Sequence, residues 1–62
     1  MNGDQIELLL LLLRLHGCVA AKRGRPGDAI ARMDLALRDF DTDPGDVLLH
    51  LARDLHTEVA AL

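Results

Sequence analysis

A chain of 62 residues, half of them hydrophobic, with a formal net charge of −3 excludes a multidomain protein and a disordered one. The charge also speaks against a general binder of nucleic acid or acidic membranes. The single cysteine, Cys18, excludes an internal disulfide and fits a reducing, cytoplasmic setting.

A domain of this size buries only about 60% of the surface its unfolded chain exposes. Small domains usually add a disulfide, a metal or a second subunit. With the disulfide excluded and no metal set evident, oligomerisation is the expected source of extra stability. The apolar residues are mostly leucine and alanine, and Phe40 is the only aromatic. That composition favours helices over strands, so the expected fold is all-α, one domain over residues 1–62.

The first helix is predicted over about 4–23. Asn2 or Asp4 can cap its start, and Asp4 with Glu7 three residues on resembles a capping box. Gly24 ends it, and Lys22 and Arg23 suit the negative C-terminal end of a helix. Leu8 to Leu13 are six consecutive leucines. Each helical residue turns by about 100°, so no single face holds them all. The helix must be covered on more than one side.

Its residues sort into two seams with alternating steps of three and four, as in a coiled coil. Ile6, Leu10, Leu13, Gly17 and Ala20 form one. Leu8, Leu12, Leu15 and Val19 form the other. The small residues Gly17 and Ala20 assign the first seam to the next helix of the same chain, with Gly17 close-packed near Ala29, Met33 or Ala36. The second seam is all large aliphatics. Left in water, each would forgo roughly 1.5–3 kcal/mol. Either a second copy of the chain or the third helix covers it; the expectation carried forward is a homodimer with Leu8, Leu12, Leu15 and Val19 between subunits. The apolar stretch, residues 6–19, is shorter than the ~20 residues a membrane span needs and contains Glu7, Arg14 and His16. A secretory leader would begin basic, whereas this chain begins with Asp4 and Glu7. Neither membrane insertion nor secretion is expected.

The second helix is predicted over about 26–40, opened by Pro26 with Asp28 in its first turn. Ala29, Ile30, Met33, Ala36, Leu37 and Phe40 share one face, and Arg32, Asp34, Arg38 and Asp39 share the other. The third is predicted over about 44–62, capped by Asp43 or Thr42 and opened by Pro44. Val47, Leu48, Leu51, Leu55, Val59 and Leu62 form its buried stripe.

Gly17, Gly24, Ala29-Ile30 and Ala36-Leu37, followed by Pro44, resemble a single tetratricopeptide repeat over about Leu10 to Pro44. In that family small residues let the two helices of a hairpin approach and a glycine turns the chain between them. The resemblance implies hairpin geometry. The family's aromatic residues are missing from the first helix and no second copy follows, while a stable array takes at least three repeats. A peptide-binding groove is therefore not implied.

Candidate chemistry is sparse. Asp46, His50 and Asp54 recur every fourth residue on one helical face, a spacing that can share a metal but more often makes a solvated face with a charge-paired histidine. His16 and Cys18 are two apart and point to different sides of a helix. They make no thiol–imidazole pair, and the readings are a buried small hydrophobe for Cys18 and a border residue for His16. No glycine-rich loop and no paired catalytic groups are present, so no enzyme activity, catalytic residue, metal or cofactor is expected. Lys22, Arg23 and Arg25 form a basic cluster that can touch phosphate or simply complement a helix end. The function read from the sequence is a small non-catalytic protein–protein interaction module, dimerising with itself through helix 1 or docking another protein. A DNA-associated regulator using Lys22, Arg23 and Arg25 is the alternative; the acidic residues Asp46, Asp54 and Glu58 on the third helix oppose it.

Overall fold

The computed structural model describes residues 2–62. They form three helices and no strand: α1 spans Gly3–Lys22, α2 Pro26–Asp39 and α3 Pro44–Ala60. The connections are short, and the helices run up, down and up. The molecule measures 32 × 19 × 15 Å. At 1.5 Å per residue α1 is about 30 Å long, so it sets the long axis.

Local chemistry explains each boundary. Asn2 is the N-cap of α1: its side chain accepts from the Gln5 backbone N–H at 2.9 Å, and the Gln5 side chain accepts from the Asn2 N–H at 3.0 Å. The capping box is therefore Asn2–Gln5, which corrects the Asp4–Glu7 expectation. The box satisfies two backbone donors that lack partners at a helix start. Asp4, inside the first turn, supplies negative charge there. At the other end Gly24 has φ +72°, a left-handed conformation that costs glycine little. This geometry lets Gly24 N–H donate to the Ala21 carbonyl (3.1 Å) and Arg25 N–H to the Ala20 carbonyl (2.8 Å). The pair of bonds is a Schellman stop, and it reverses the chain into α2. Pro26 opens α2 and Pro44 opens α3, where the Asp43 side chain accepts from the Asp46 N–H at 3.2 Å.

α1 packs on both other helices, which touch each other far less. The core gathers Leu9 and Leu12 from α1, Ala36 and Phe40 from and just after α2, and Val47, Leu48 and Leu51 from α3, with Leu13 and Leu55 packed at its edge. The buried residues of α1 are Leu9, Leu12, His16, Val19 and Ala20. This arc falls between the two expected seams and runs through Leu9 and His16, which belonged to neither. Two helices leaning on one side of α1 share a single broad face.

Several burial expectations are overturned as a result. Ile6 and Leu10 are exposed. On α2 the buried face narrows to Ala36 and Phe40, while Ile30, Met33 and Leu37 stand in the open. On α3 the stripe holds through Leu55, half-buried at the edge of the core, but Val59 and Leu62 lie past the end of the shared core and are exposed. Cys18 is exposed, being one residue, and so about 100°, away from buried Val19.

Gly17 is also not where the close-packing expectation put it. A Cβ there would meet nothing within 4 Å. Gly17→Ala is therefore expected to raise stability by about 0.5–1 kcal/mol, the usual gain on replacing a mid-helix glycine. A urea titration checks this; a lower midpoint would show that the position is closely packed after all.

Candidate functional site

The outer face of α1, the longest helix, carries a row of large apolar side chains that stand in water. Leu8, Leu11 and Leu15 are 43%, 49% and 41% exposed. With exposed Cys18 they follow steps of three, four and three, which places them on one stripe. The buried stripe Leu9, Leu12, His16, Val19 has the same steps, displaced by one residue. The leucine run thus feeds two apolar stripes about 100° apart, one facing the core and the other facing out.

Half of the expected interface belongs to each. Leu12 and Val19 are only 7% and 8% exposed, covered within the chain, and Leu12 sits in the core beside α3 residues. Leu8 and Leu15 remain open. Leu11 and Cys18, which the sequence reading left out, complete the outward stripe. A tally from Leu8 reaches Leu11, Leu15 and Cys18 if its first step is three and Leu12, Leu15 and Val19 if it is four; the choice between these neighbouring stripes depends on where α2 and α3 land.

His16 was expected at a border and is instead the most buried side chain described, at 1% exposure. Its Nε2 donates to the Leu51 carbonyl at 2.8 Å, and its Nδ1 lies 3.3 Å from a Glu58 carboxylate oxygen. The other Glu58 oxygen accepts from the Arg32 guanidinium at 3.0 Å, and Arg32 also pairs with Asp54 at 2.7 Å. One histidine, one glutamate and one arginine therefore tie all three helices together. Every partner lies far along the chain, so no local signal marks His16 as a core residue. The burial is tolerable because both ring nitrogens have partners. Among the described residues no buried side-chain polar atom lacks one.

The Asp46–His50–Asp54 face does not assemble a ligand set. His50 Nδ1 donates to the Asp46 carbonyl at 2.9 Å, and Asp54 is engaged by Arg32. Among the described residues no group of three metal-binding side chains is gathered. Between α2 and α3 runs an open groove whose apolar lining is Leu35, Ala36, Val47 and Leu51 and whose acidic residues are Asp39, Asp46 and Asp54. Lys22, Arg23 and Arg25 are exposed around the α1–α2 turn, where the backbone bonds of the helix stop use the Val19, Ala20 and Ala21 carbonyls. No helix among the described residues is long and apolar enough to cross a membrane.

Fold and surface together define a three-helix all-α chain with an exposed leucine face on its longest helix. The chain matches no known protein family model, no curated protein and no solved structure.

Proposed function

We propose that the chain is a small, non-catalytic association module whose working surface is the outward face of α1. The observation that carries this reading is the row Leu8, Leu11, Leu15, exposed at the middle of the helix that forms the long axis of the molecule. Contiguous exposed apolar surface marks an interaction site far more often than scattered leucines do. About half of each of these side chains is still in water, so burying the remainder would contribute about 1 kcal/mol apiece. The primary partner in this reading is a second copy of the same chain, placing two α1 helices at the centre of a homodimer.

Leu11→Lys tests the proposal cleanly, because Leu11 is exposed and its replacement leaves the core untouched. The wild-type chain is expected to show a dimer mass by light scattering at micromolar concentration. The Leu11→Lys chain is expected to be monomeric with unchanged far-ultraviolet circular dichroism. A wild-type monomer across the concentration range ends the homodimer reading.

A further inference from the structure

The outward stripe of α1 extends beyond its leucines. One turn before Leu8 stands Asp4, and one turn after Cys18 stands Lys22, both exposed. The full row is Asp4, Leu8, Leu11, Leu15, Cys18, Lys22, with steps of four, three, four, three and four. At 100° per residue these six positions fall within an arc of about 80°. The spacing reads the same from either end, with its midpoint at the level of Leu13. The charges do not: the row is acidic at one end and basic at the other.

A two-fold dimer brings the same patch of both subunits together, so that residue i meets j and j meets i. Two such rows can be laid face to face in either of two directions. In the parallel direction Asp4 meets Asp4, Lys22 meets Lys22 and Cys18 meets Cys18, which places like charges at both ends. In the antiparallel direction Asp4 meets Lys22 twice, Leu8 meets Cys18 twice, and Leu11 meets Leu15 twice around the axis. We infer that the outer face of α1 is a self-complementary seam for a second copy of this chain, closed antiparallel with Asp4 opposite Lys22 and Leu8 opposite Cys18.

Three physical terms favour that direction. The end charges attract instead of repelling. The two helix dipoles oppose one another, so the positive start of each α1 lies near the negative end of its partner. The small Cys18 side chain accommodates Leu8, while the larger Leu11–Leu15 pairs take the centre, alternating sizes as packed seams do. Against them stands one like-charge approach, Arg14 with Arg14 near the two-fold axis. Both lie on the exposed flank, where solvent screens the repulsion. The inference rests on the homodimer reading above and adds its direction and register.

Cysteine cross-linking tests the register directly. In the antiparallel seam the two native Cys18 residues stand ten residues apart along the axis, about 15 Å, well beyond the ~7 Å limit on Cα separation in a disulfide. Oxidation with copper–phenanthroline, which removes two electrons and two protons per disulfide formed, is expected to leave the wild-type dimer uncross-linked. The Leu8→Cys variant is expected to form covalent dimers whose peptide map links position 8 of one copy to Cys18 of the other. Charge exchange gives a second measurement that does not depend on that variant. Asp4→Lys alone and Lys22→Asp alone are each expected to raise the dimer Kd severalfold, and the double exchange to restore it.

A wild-type dimer joined through Cys18 on both sides would overturn the antiparallel seam, as would a Leu8→Cys variant with no link between positions 8 and 18. So would single charge exchanges that leave the Kd unchanged, the behaviour of a parallel pair. Light scattering on the wild type separates these outcomes from failure of the homodimer itself. A dimer with the wrong link overturns only the register, and a monomer overturns both.

Discussion

Replacing Leu12 with lysine is expected to unfold the chain at room temperature. Leu12 is buried in the hydrophobic core that it shares with Phe40, Leu48 and Leu51. An ammonium brought into that site loses hydration and finds no carboxylate prepared for it, at a cost of several kcal/mol. A domain of this length has about 3–9 kcal/mol of stability at the usual 0.05–0.15 kcal/mol per residue, so the penalty is comparable with the whole. Loss of the helical circular dichroism signal and of any cooperative melt is the expected result. The contrast with Leu11→Lys is the informative part. The two positions are adjacent in a run of identical residues, yet one substitution should remove the fold and the other only the dimer. A well-folded Leu12→Lys chain would mean that the core does not pass through Leu12.

His16→Ala is expected to destabilise by about 3–5 kcal/mol. The ring fills the most buried position described, and deleting a side chain of that size leaves a cavity, as in large-to-small aromatic truncations. The substitution also removes the bond to the Leu51 carbonyl and one of the contacts of Glu58. Glu58 keeps Arg32, so the charge is not orphaned and most of the loss is volume. His16→Phe preserves that volume and gives up the polar contacts, at an expected cost of about 1–3 kcal/mol. Urea titrations of the two variants beside wild type separate packing from hydrogen bonding. Equal stabilities for His16→Ala and wild type would remove His16 from the core.

Much of the secondary structure was written locally. Pro26 and Pro44 at helix starts, Asp43 before Pro44 and Gly24 after Lys22-Arg23 each fix a boundary within a few residues of themselves. The three predicted helices accordingly lie close to those observed, with the largest difference, two residues, at the end of α3. The start of α1 was the exception in detail: Asn2-Gly-Asp4-Gln5 offers two acceptors, and the one whose glutamine reached back took the cap.

The candidate site was legible only as a problem. Six consecutive leucines made it certain that α1 carries more apolar surface than one neighbour can cover. They did not say which stripe turns inward, because Leu8, Leu11, Leu15 and Leu9, Leu12 are the same residue type at the same spacing. Sequence periodicity distinguishes faces only when their compositions differ. The residue that breaks the tie, His16, reads from the sequence only as a border residue. It is inside because Leu51 and Glu58, brought up from 35 and 42 residues away, give its two nitrogens partners.

Propensity, capping and step angle act over a few residues, and they suffice to make this chain helical, to start and stop its helices, and to leave its first helix with apolar surface to spare. Long-range packing settles the rest. α2 and α3 both settle on one arc of α1, drawing Leu9, Leu12, His16 and Val19 into the core and leaving Leu8, Leu11, Leu15 and Cys18 in water. That choice depends on packing and hydrogen bonds between residues distant in the chain, and no window of sequence contains them.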